Sequence, residues 1–206
     1  MKRDFDKEAQ TWDQKTARIK LAADVASAMM NAIPLTAEMD VLDYGCGTGL
    51  LTLALQPHVR TITGADTSIG MLDVFKGKIE AQGLTNVTIQ YLDADQGIGL
   101  TGSYHLITSS MTLHHVEDPP TIIRKLYEHL YPGGYLCIAD LDPDDGKFHS
   151  QSEGVFHEGF SRSAMGRWFA QAGFDRITET TAATVTKDIP EEGIHSFSIF
   201  LVTGKR

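Results

Sequence analysis

The sequence contains only two cysteines, Cys46 and Cys137, among its 206 residues. They lie far apart in different segments, so they provide neither the closely spaced thiols of a metal site nor a disulfide framework. A small thiol within an apolar strand or a tight turn is ordinarily a packing residue. We therefore predict no redox role for either cysteine.

Long apolar runs are also missing, since no stretch approaches the roughly 18 apolar residues that a membrane-spanning helix requires. The first ten residues, "MKRDFDKEAQ", have no apolar segment of the signal-peptide kind. Basic residues are a minority, with 18 Lys and Arg against 27 Asp and Glu, so a phosphate backbone would repel the chain. The sequence predicts a cytoplasmic protein with no membrane span and no nucleic-acid partner.

The spacing of apolar residues changes along the chain. Residues 4–33 lack Gly and Pro and have apolar positions at helical spacing, which predicts one or two helices that end before Pro34. From 39 to 141, short apolar strands alternate with helices, including a helix over 119–131. Two long strand-like runs after residue 173 predict a hairpin.

Alternating strands and helices require parallel strands that are joined by crossover helices. The sequence therefore predicts one α/β domain over residues 1–206, with a Rossmann-like doubly wound sheet of about seven strands. Most strands are expected to be parallel, with a C-terminal antiparallel hairpin strand and helices on both faces.

The stretch "VLDYGCGTGL", residues 41–50, has three glycines directly after an apolar run and an acid. A strand that ends in such a turn and opens a helix points backbone N–H groups at a ligand, unless the glycines only make a tight turn. Dinucleotide sites have G-x-G-x-x-G, but Leu50 occupies the position of the third glycine. Asp43 would repel a pyrophosphate and attract an ammonium or sulfonium group.

A second acid, Asp66, ends the second predicted strand. An acidic side chain at this place can accept hydrogen bonds from both hydroxyls of a ribose. The two acids together predict a nucleoside ligand with a cationic tail.

Five stretches follow one another along the chain: "VLDYGCGTG", "GADTSIGML", "LDAD", "HLITSSMTLHHVEDP" and "LYPGGYLCIADL". In order and spacing they resemble the motifs of class I S-adenosylmethionine-dependent methyltransferases, most of all the small-molecule type that includes the ubiquinone and menaquinone methyltransferases. The resemblance covers about residues 39–141, with a weaker similarity in "HEGFSRSAMGRWFAQAGF". It implies S-adenosyl-L-methionine as cofactor, S-adenosyl-L-homocysteine as product and a small-molecule methyl acceptor.

The resemblance also implies which residues hold the cofactor. Gly45, Gly47 and Gly49 are expected to face its methionine part, with Asp43 near the amino group through a water molecule. Asp66 is expected to bind the ribose hydroxyls.

Further contacts of the cofactor follow from the resemblance. Met71 or Leu72 is expected to pack near the adenine, and Asp93 and Ala94 are expected to meet the adenine edge through a carboxylate and a backbone N–H. Ser109 is expected to offer its carbonyl to the ammonium group.

Histidines are the candidate catalytic residues. Methyl transfer from a sulfonium is an in-line displacement in which the protein mainly aligns the reactants. Oxygen and carbon acceptors usually need help to lose a proton, and His is well suited to accept it near neutral pH. His114, His115 and His157 are candidates for this base or for positioning the acceptor, although packing is the alternative for each.

Two acids near the end of the fifth strand, Asp140 and Asp142, could orient the acceptor or cap the loop. A metal site built from His114, His115, Asp140 and His157 is possible in composition. These residues lack the short fixed spacings of known ligand motifs, so we predict no metal.

Aromatic residues on the polar leading helix have to be buried against something. The resemblance implies that the leading helix covers the pocket as a lid, so Phe5 and Trp12 are expected to belong to that lid, with plain packing as the alternative. Tyr44 stands where the family often has an aliphatic residue and is expected to bring a hydroxyl near the crevice. The domain would then consist of N-terminal lid helices, a cofactor-binding core and a substrate-side loop, helix and hairpin, over residues 1–33, 39–141 and 142–206.

Two other functions stay open at this stage. An NAD(P)-dependent oxidoreductase on a Rossmann sheet is disfavoured by Leu50 and Asp43. A non-catalytic subunit that binds S-adenosylmethionine would be favoured by a broken cofactor motif, and no motif is broken. The acceptor, the methylated atom and the oligomeric state, monomer or homodimer, are not fixed by the sequence.

Overall fold

The structure is a computed structural model that describes residues 4–93, 99–149 and 154–206. The α-helices of this part are α1 (Phe5–Glu8), α2 (Thr16–Ala32), α3 (Leu50–Leu55), α4 (Ile69–Gln82), α5 (Pro119–Glu128) and α6 (Arg162–Ala172). Its strands are β1 (Asp40–Tyr44), β2 (Thr61–Asp66), β3 (Val87–Tyr91), β4 (Tyr104–Ser110), β5 (Leu130–Leu141), β6 (Asp175–Ile189) and β7 (Gly193–Lys205). None of these helices combines the length and the apolar character needed to cross a membrane.

The strands form one seven-stranded sheet in the order β3-β2-β1-β4-β5-β7-β6. The strands β1 to β5 pair in parallel, whereas β7 runs antiparallel to both β5 and β6. The chain moves outward from β1 in one direction through β2 and β3, then returns to the other side of β1 with β4. This arrangement confirms the predicted fold class, including the C-terminal hairpin.

Two hydrophobic cores lie on opposite faces of the sheet because successive strand residues point to opposite sides. Val41 packs in the core under α2, α3 and α4, while its neighbour Leu42 packs in the core under α5 and α6. Both faces of β1 are therefore covered, which explains why this strand is a nearly continuous apolar run in the sequence.

Local signals place the ends of α4 correctly. Ser68 caps its first turn, with the amide of Met71 donating to Ser68 Oγ at 3.1 Å. Gly83 ends the helix in the left-handed conformation with φ of +62°. Ser is favoured at the first position because its hydroxyl accepts from an open backbone amide, and Gly at the second because it adopts the left-handed conformation without a Cβ clash.

The boundary between α5 and β5 differs from the prediction. The helix ends at Glu128 and the strand already begins at Leu130, not after residue 131. The reason is a tertiary contact, because the amide of Tyr104 donates to the carbonyl of His129 at 2.8 Å and Tyr104 pairs with Leu130. Strand pairing therefore overrides the helical spacing of the last predicted turn.

Gly49, the residue before α3, combines a φ of +80° with a very close neighbour. A Cβ at this position would lie 2.2 Å from the ring of Phe75. We expect Gly49→Ala to lower the free energy of unfolding by about 3 kcal/mol, from left-handed strain and overpacking. Urea denaturation followed by circular dichroism measures this difference.

Gly77→Ala is the matched control, because Gly77 is exposed on α4 and no described atom would lie within 4 Å of a new Cβ. This change should raise stability by about 0.5–1 kcal/mol through helix propensity. A Gly49→Ala variant as stable as Gly77→Ala would show that Phe75 does not restrict the loop.

Candidate active site

The carboxyl ends of five parallel strands, β1 to β5, lie along one edge of the sheet. The strand order reverses between β1 and β4, and the gap between their ends is the position where such sheets bind ligands. We call it the switch-point crevice. The sequence-predicted residues that end or follow these strands are Asp43, Asp66, Asp93, Ser109, His114 and His115.

Asp43, near the end of β1, is 1% exposed. The hydroxyl of Thr52 on α3 donates to its Oδ2 at 2.6 Å, and the hydroxyl of Thr108 on β4 donates to its Oδ1 at 3.1 Å. Burial, with a smaller contribution from the Asp66 carboxylate, raises the pKa of Asp43 to about 6. At neutral pH this group therefore carries a negative charge inside the protein.

Asp66, the last residue of β2, joins two strand-to-helix turns. The amide of Gly47 donates to its Oδ2 at 2.7 Å, and the amide of Ser68 donates to its Oδ1 at 2.9 Å. Burial raises the pKa of Asp66 against these hydrogen bonds, and the carboxylate of Asp6 raises it further. Each carboxylate oxygen can accept a second hydrogen bond, so both remain able to bind ligand hydroxyls.

The three glycines of the loop after β1 all have positive φ, but their surroundings differ. A Cβ on Gly45 would lie 2.3 Å from the side chain of Thr112, and one on Gly49 would strike Phe75. A Cβ on Gly47 would meet no described atom within 4 Å. Close packing inside the protein therefore accounts for Gly45 and Gly49, whereas Gly47 borders open space where a ligand can approach.

The other sequence-predicted cofactor residues flank this loop. Met71 and Leu72, in the first turn of α4, are both buried. Asp93 follows β3 and is half-buried, whereas Ala94 lies outside the described residues. Ser109 on β4 is buried, and no described residue hydrogen-bonds its hydroxyl. Their roles toward a cofactor stay predictions.

The leading segment, which we define as residues 4–14, contacts the first turn of α4. Asp6 Oδ1 accepts hydrogen bonds from the hydroxyl of Ser68 at 2.6 Å and the amide of Gly70 at 2.7 Å. A Cβ on Gly70 would lie 2.9 Å from the Cα of Asp6, so only glycine permits this approach. No pattern in the sequence predicts a role for Asp6, and the absence of a side chain at residue 70 is its one local signal.

A second polar contact fixes the leading segment over the glycine loop. The hydroxyl of Thr48 donates to Asp13 Oδ1 at 2.6 Å, and Lys78 forms an ion pair with the same carboxylate. Lys78 Nζ also donates to the carbonyl of Thr48 at 2.7 Å. The segment is thus bonded to the turns after both β1 and β2.

The two predicted lid aromatics pack in a row that ends at the candidate catalytic residues. The ring centroid of Phe5 lies 5.9 Å from that of Trp12 and 5.1 Å from that of His115, both in edge-on geometry. The guanidinium carbon of Arg18 lies 3.4 Å from the centroid of a Trp12 ring. Phe5 thereby connects the leading segment to the loop after β4.

His114 and Asp140 form a buried pair, 1% and 0% exposed, with His114 Nδ1 2.6 Å from Asp140 Oδ1. The amides of Leu113 and Leu141 donate to the carboxylate at 2.9 and 2.8 Å. Burial tends to raise the pKa of Asp140, but the electrostatic attraction of the His114 ring and the hydrogen bonds from that ring and from backbone amides outweigh it and hold that pKa below its ordinary value. An ionised carboxylate only accepts, so His114 Nδ1 carries the proton and Nε2 is the nitrogen that can bind a ligand.

Backbone carbonyls set the orientation of two further histidines. His115 Nδ1 lies 2.6 Å from the carbonyl oxygen of Gly154, and His157 Nε2 lies 3.0 Å from that of Val116. A carbonyl only accepts, so these two nitrogens are the donors and the opposite nitrogens carry the lone pairs.

His149 joins the candidate residues, although the sequence analysis missed it. Its ring centroid lies 4.9 Å from that of His114 and 5.6 Å from that of His115. The ring cluster therefore differs from the set considered from the sequence, which combined His114 and His115 with Asp140 and His157. His149 lies in a loop without periodic spacing, which gave no signal for its position.

A cavity of about 400 Å³ adjoins this cluster. Its lining includes His149, His157 and Phe156, whose side chain is 52% exposed. Asp144 and Glu158 also line it and make its lining acidic. Such a cavity has the size of a small-molecule site and disfavours anionic ligands.

Two other residues singled out from the sequence, Tyr44 and Asp142, are held by contacts within the protein. Tyr44 is nearly buried, and burial together with the charge of Asp66 raises its pKa to about 12, so its hydroxyl stays protonated. Asp142 pairs with Arg162, with the Arg162 Nη2 to Asp142 Oδ2 distance at 2.7 Å. That pair holds the start of α6 against the end of β5.

The strand order and the helices on both faces of the sheet define a protein of the Rossmann-like α/β class. The chain belongs to the methyltransferase domain family, whose sequence model, described as "Methyltransferase domain", matches residues 14–179. This confirms the family that the five motifs predicted.

Named relatives support the same class. An uncharacterized methyltransferase of Schizosaccharomyces pombe is 28% identical over 156 residues, which cover 69% of this chain and 55% of that protein. A ubiquinone biosynthesis O-methyltransferase of Coxiella burnetii is 36% identical over 102 residues, which cover 50% of this chain and 43% of that protein. The chain thus spans about half the length of these curated relatives.

A solved structure shares the fold. It is phosphoethanolamine N-methyltransferase 2 of Haemonchus contortus in complex with S-adenosyl-L-methionine, with a TM-score of 0.70 and 13% identity. The match covers 88% of this chain and 52% of that chain. At this identity the likeness shows the fold alone.

The raised pKa of Asp43 predicts a pH-dependent cost to the folded state. With a pKa of about 6 when folded and an ordinary value of 3.8, the folded state binds the proton more tightly. Stability is therefore lost as pH rises from about 4 to about 6, by at most about 3 kcal/mol. We expect Asp43→Asn to stabilise the ligand-free protein relative to wild type at pH 7.5, and much less at pH 4.5.

Thermal unfolding of both proteins at the two pH values measures this effect, and the difference between them isolates Asp43 from other titrating groups. Asp73→Asn, on the exposed face of α4, controls for the loss of one negative charge. An Asp43→Asn variant that is no more stable at pH 7.5 than at pH 4.5, relative to wild type, would contradict the assigned pKa.

Proposed function

We propose that the protein transfers a methyl group from S-adenosyl-L-methionine to a small-molecule acceptor by in-line displacement, with S-adenosyl-L-homocysteine as product. The methyltransferase family of the chain supports this reaction class. The similarity to a ubiquinone biosynthesis O-methyltransferase supports a small-molecule acceptor.

Buried negative charge in the switch-point crevice carries the proposal. Burial raises the pKa values of Asp43 and Asp66. The charge of Asp66 raises the pKa of Asp43 further, and the charge of Asp6 raises that of Asp66. Within residues 4–93, 99–149 and 154–206, no Lys or Arg forms an ion pair with either one. A ligand with sulfonium and ammonium charges would relieve this repulsion, whereas a pyrophosphate would increase it.

The residues present fit such a cofactor. The open side of Gly47 gives room for close approach, and Asp66 has oxygens able to accept from ribose hydroxyls. Asp43 is assigned to the ammonium group through water. The remaining assigned contacts, with the adenine and the ammonium, belong to Met71, Asp93, Ala94 and Ser109.

The chemistry supplied by the bound cofactor is an already activated methyl group, so the protein mainly aligns the acceptor and excludes water. We assign the exclusion of water to the leading segment, which Asp6 and Asp13 bond to the turns beneath it. Phe5 and Trp12 supply the apolar inner surface of that cover.

The acceptor side is assigned to His114, His115 and His157 and to the adjoining cavity. The lone pair on Nε2 of His114 can accept a proton, with Asp140 stabilising the imidazolium that results. The acidic lining from Asp144 and Glu158 favours a neutral or cationic acceptor over a phosphorylated one. We also assign the protein to the cytoplasm, without a nucleic-acid partner.

Titration calorimetry with S-adenosyl-L-methionine and S-adenosyl-L-homocysteine tests the cofactor assignment. Saturable binding of both is expected, whereas a folded sample that binds neither would overturn the proposal. NADH, followed by its fluorescence, is the parallel ligand, and its binding would favour the oxidoreductase alternative. An acceptor screen with a labelled methyl donor then separates a catalyst from a non-catalytic cofactor-binding subunit.

Asp66→Ala should weaken the binding of S-adenosyl-L-homocysteine by at least about tenfold, because it removes the acceptor of the ribose hydroxyls and the charge that attracts the ligand. Calorimetry measures the affinity, and circular dichroism verifies the fold. Asp73→Ala, which removes an exposed carboxylate from α4, the helix that follows Asp66, should leave the affinity unchanged. Equal affinities of the two variants would exclude Asp66 from the site.

A further inference from the structure

We propose that His114, His115 and His149 form a binding site for one divalent transition-metal ion, with zinc as the preferred metal. One ring nitrogen from each of the three lies within 4.8 Å of the other two. The rings of His114 and His115 are also in contact, with centroids 4.1 Å apart. Imidazole nitrogen is the ligand type that zinc and its neighbours in the first transition row prefer.

The hydrogen bonds around two of the histidines prepare them to bind a metal. His114 Nδ1 donates to Asp140, and His115 Nδ1 donates to the carbonyl of Gly154. In protein metal sites, ligating histidines almost always donate their second ring nitrogen to a carboxylate or a backbone carbonyl. Both partners therefore favour the tautomer in which Nε2 carries the lone pair.

The distances require only a small adjustment. Tetrahedral zinc with Zn–N bonds of about 2.0–2.1 Å has its nitrogens about 3.3–3.4 Å apart. The three ring nitrogens now lie within 4.8 Å of one another, so they must approach by up to about 1.5 Å. His149 lies in a loop, where a small rotation of the side chain and backbone can bring it closer.

The ligand set also determines the class of metal. Three neutral imidazoles without a directly bound carboxylate disfavour Mg²⁺ and Ca²⁺, which take oxygen ligands. A three-histidine zinc site keeps a fourth position open for water or substrate. His149 also lines the cavity of about 400 Å³, so that fourth position lies next to the space available to a small molecule.

The open fourth position beside the cavity suggests a role for the metal. This role rests on the proposed methyl transfer, whereas the metal site itself does not. An acceptor with a hydroxyl or thiol group would take the fourth position, and the metal would lower the pKa of that group. The proton leaves to solvent, and the resulting anion is the nucleophile. A metal on Nε2 would prevent His114 from acting as the base, so the two roles exclude each other.

Titration of the chelator-treated full chain with Co²⁺ tests the site, because tetrahedral Co²⁺ has an intense visible spectrum. We expect one Co²⁺ per chain, displaced by one equivalent of Zn²⁺. His149→Ala and His115→Ala should each weaken Co²⁺ binding by at least about tenfold. His58→Ala, which removes an exposed histidine outside the cluster, should leave it unchanged.

The fold of each variant is verified by circular dichroism, and His149→Gln replaces His149→Ala if the latter does not fold. Absence of the tetrahedral spectrum in the wild-type protein would overturn the proposal, as would its persistence at full affinity in both cluster variants. Calorimetry with S-adenosyl-L-homocysteine on the metal-free protein is independent of this result. A failed metal site and a failed methyltransferase assignment are therefore distinguishable.

Discussion

The carboxylate of Asp66 is the group on which the geometry of the crevice depends. Through the amides of Gly47 and Ser68 it holds the glycine loop after β1 and the start of α4 at a fixed separation. The start of α4 in turn supplies the hydroxyl and amide that bind Asp6 of the leading segment. One buried acid thus links the two turns to each other and, through α4, to the leading segment. Its hydrogen bonds offset part of the cost of burying its charge.

The same acids make the ligand-free protein less stable than its packing would allow. Besides burial, the Asp66 carboxylate raises the pKa of Asp43, and the Asp6 carboxylate raises the pKa of Asp66. A fold selected for stability alone would replace such groups with neutral ones. A ligand that binds the folded state and neutralises the repulsion stabilises it by mass action, so affinity and ligand-free stability oppose each other here.

Features that depend on local chemistry could be predicted from the sequence. The caps Ser68 and Gly83, the alternation of strands and helices, and the acids at the ends of β1 and β2 depend on residues a few positions apart. Contacts between residues far apart in the sequence could not be predicted in this way. Asp6 meets α4 across more than 60 residues, and His149 reaches His114 through a loop with no period. The helix α5 ends earlier than predicted because Tyr104, a residue distant in the sequence, bonds to the carbonyl of His129.

The three glycines of the motif are required for different physical reasons, although they form one sequence pattern. Sequence reasoning treated its three glycines as one ligand-facing surface, but Gly45 and Gly49 are constrained by Thr112 and Phe75. Only at Gly47 does the described structure leave room for a ligand. The motif therefore combines two packing constraints with one opening, all within five residues. Packing fixes the shape of the loop and Asp66 fixes its position, so the loop needs no rearrangement to present the open side of Gly47 to a ligand.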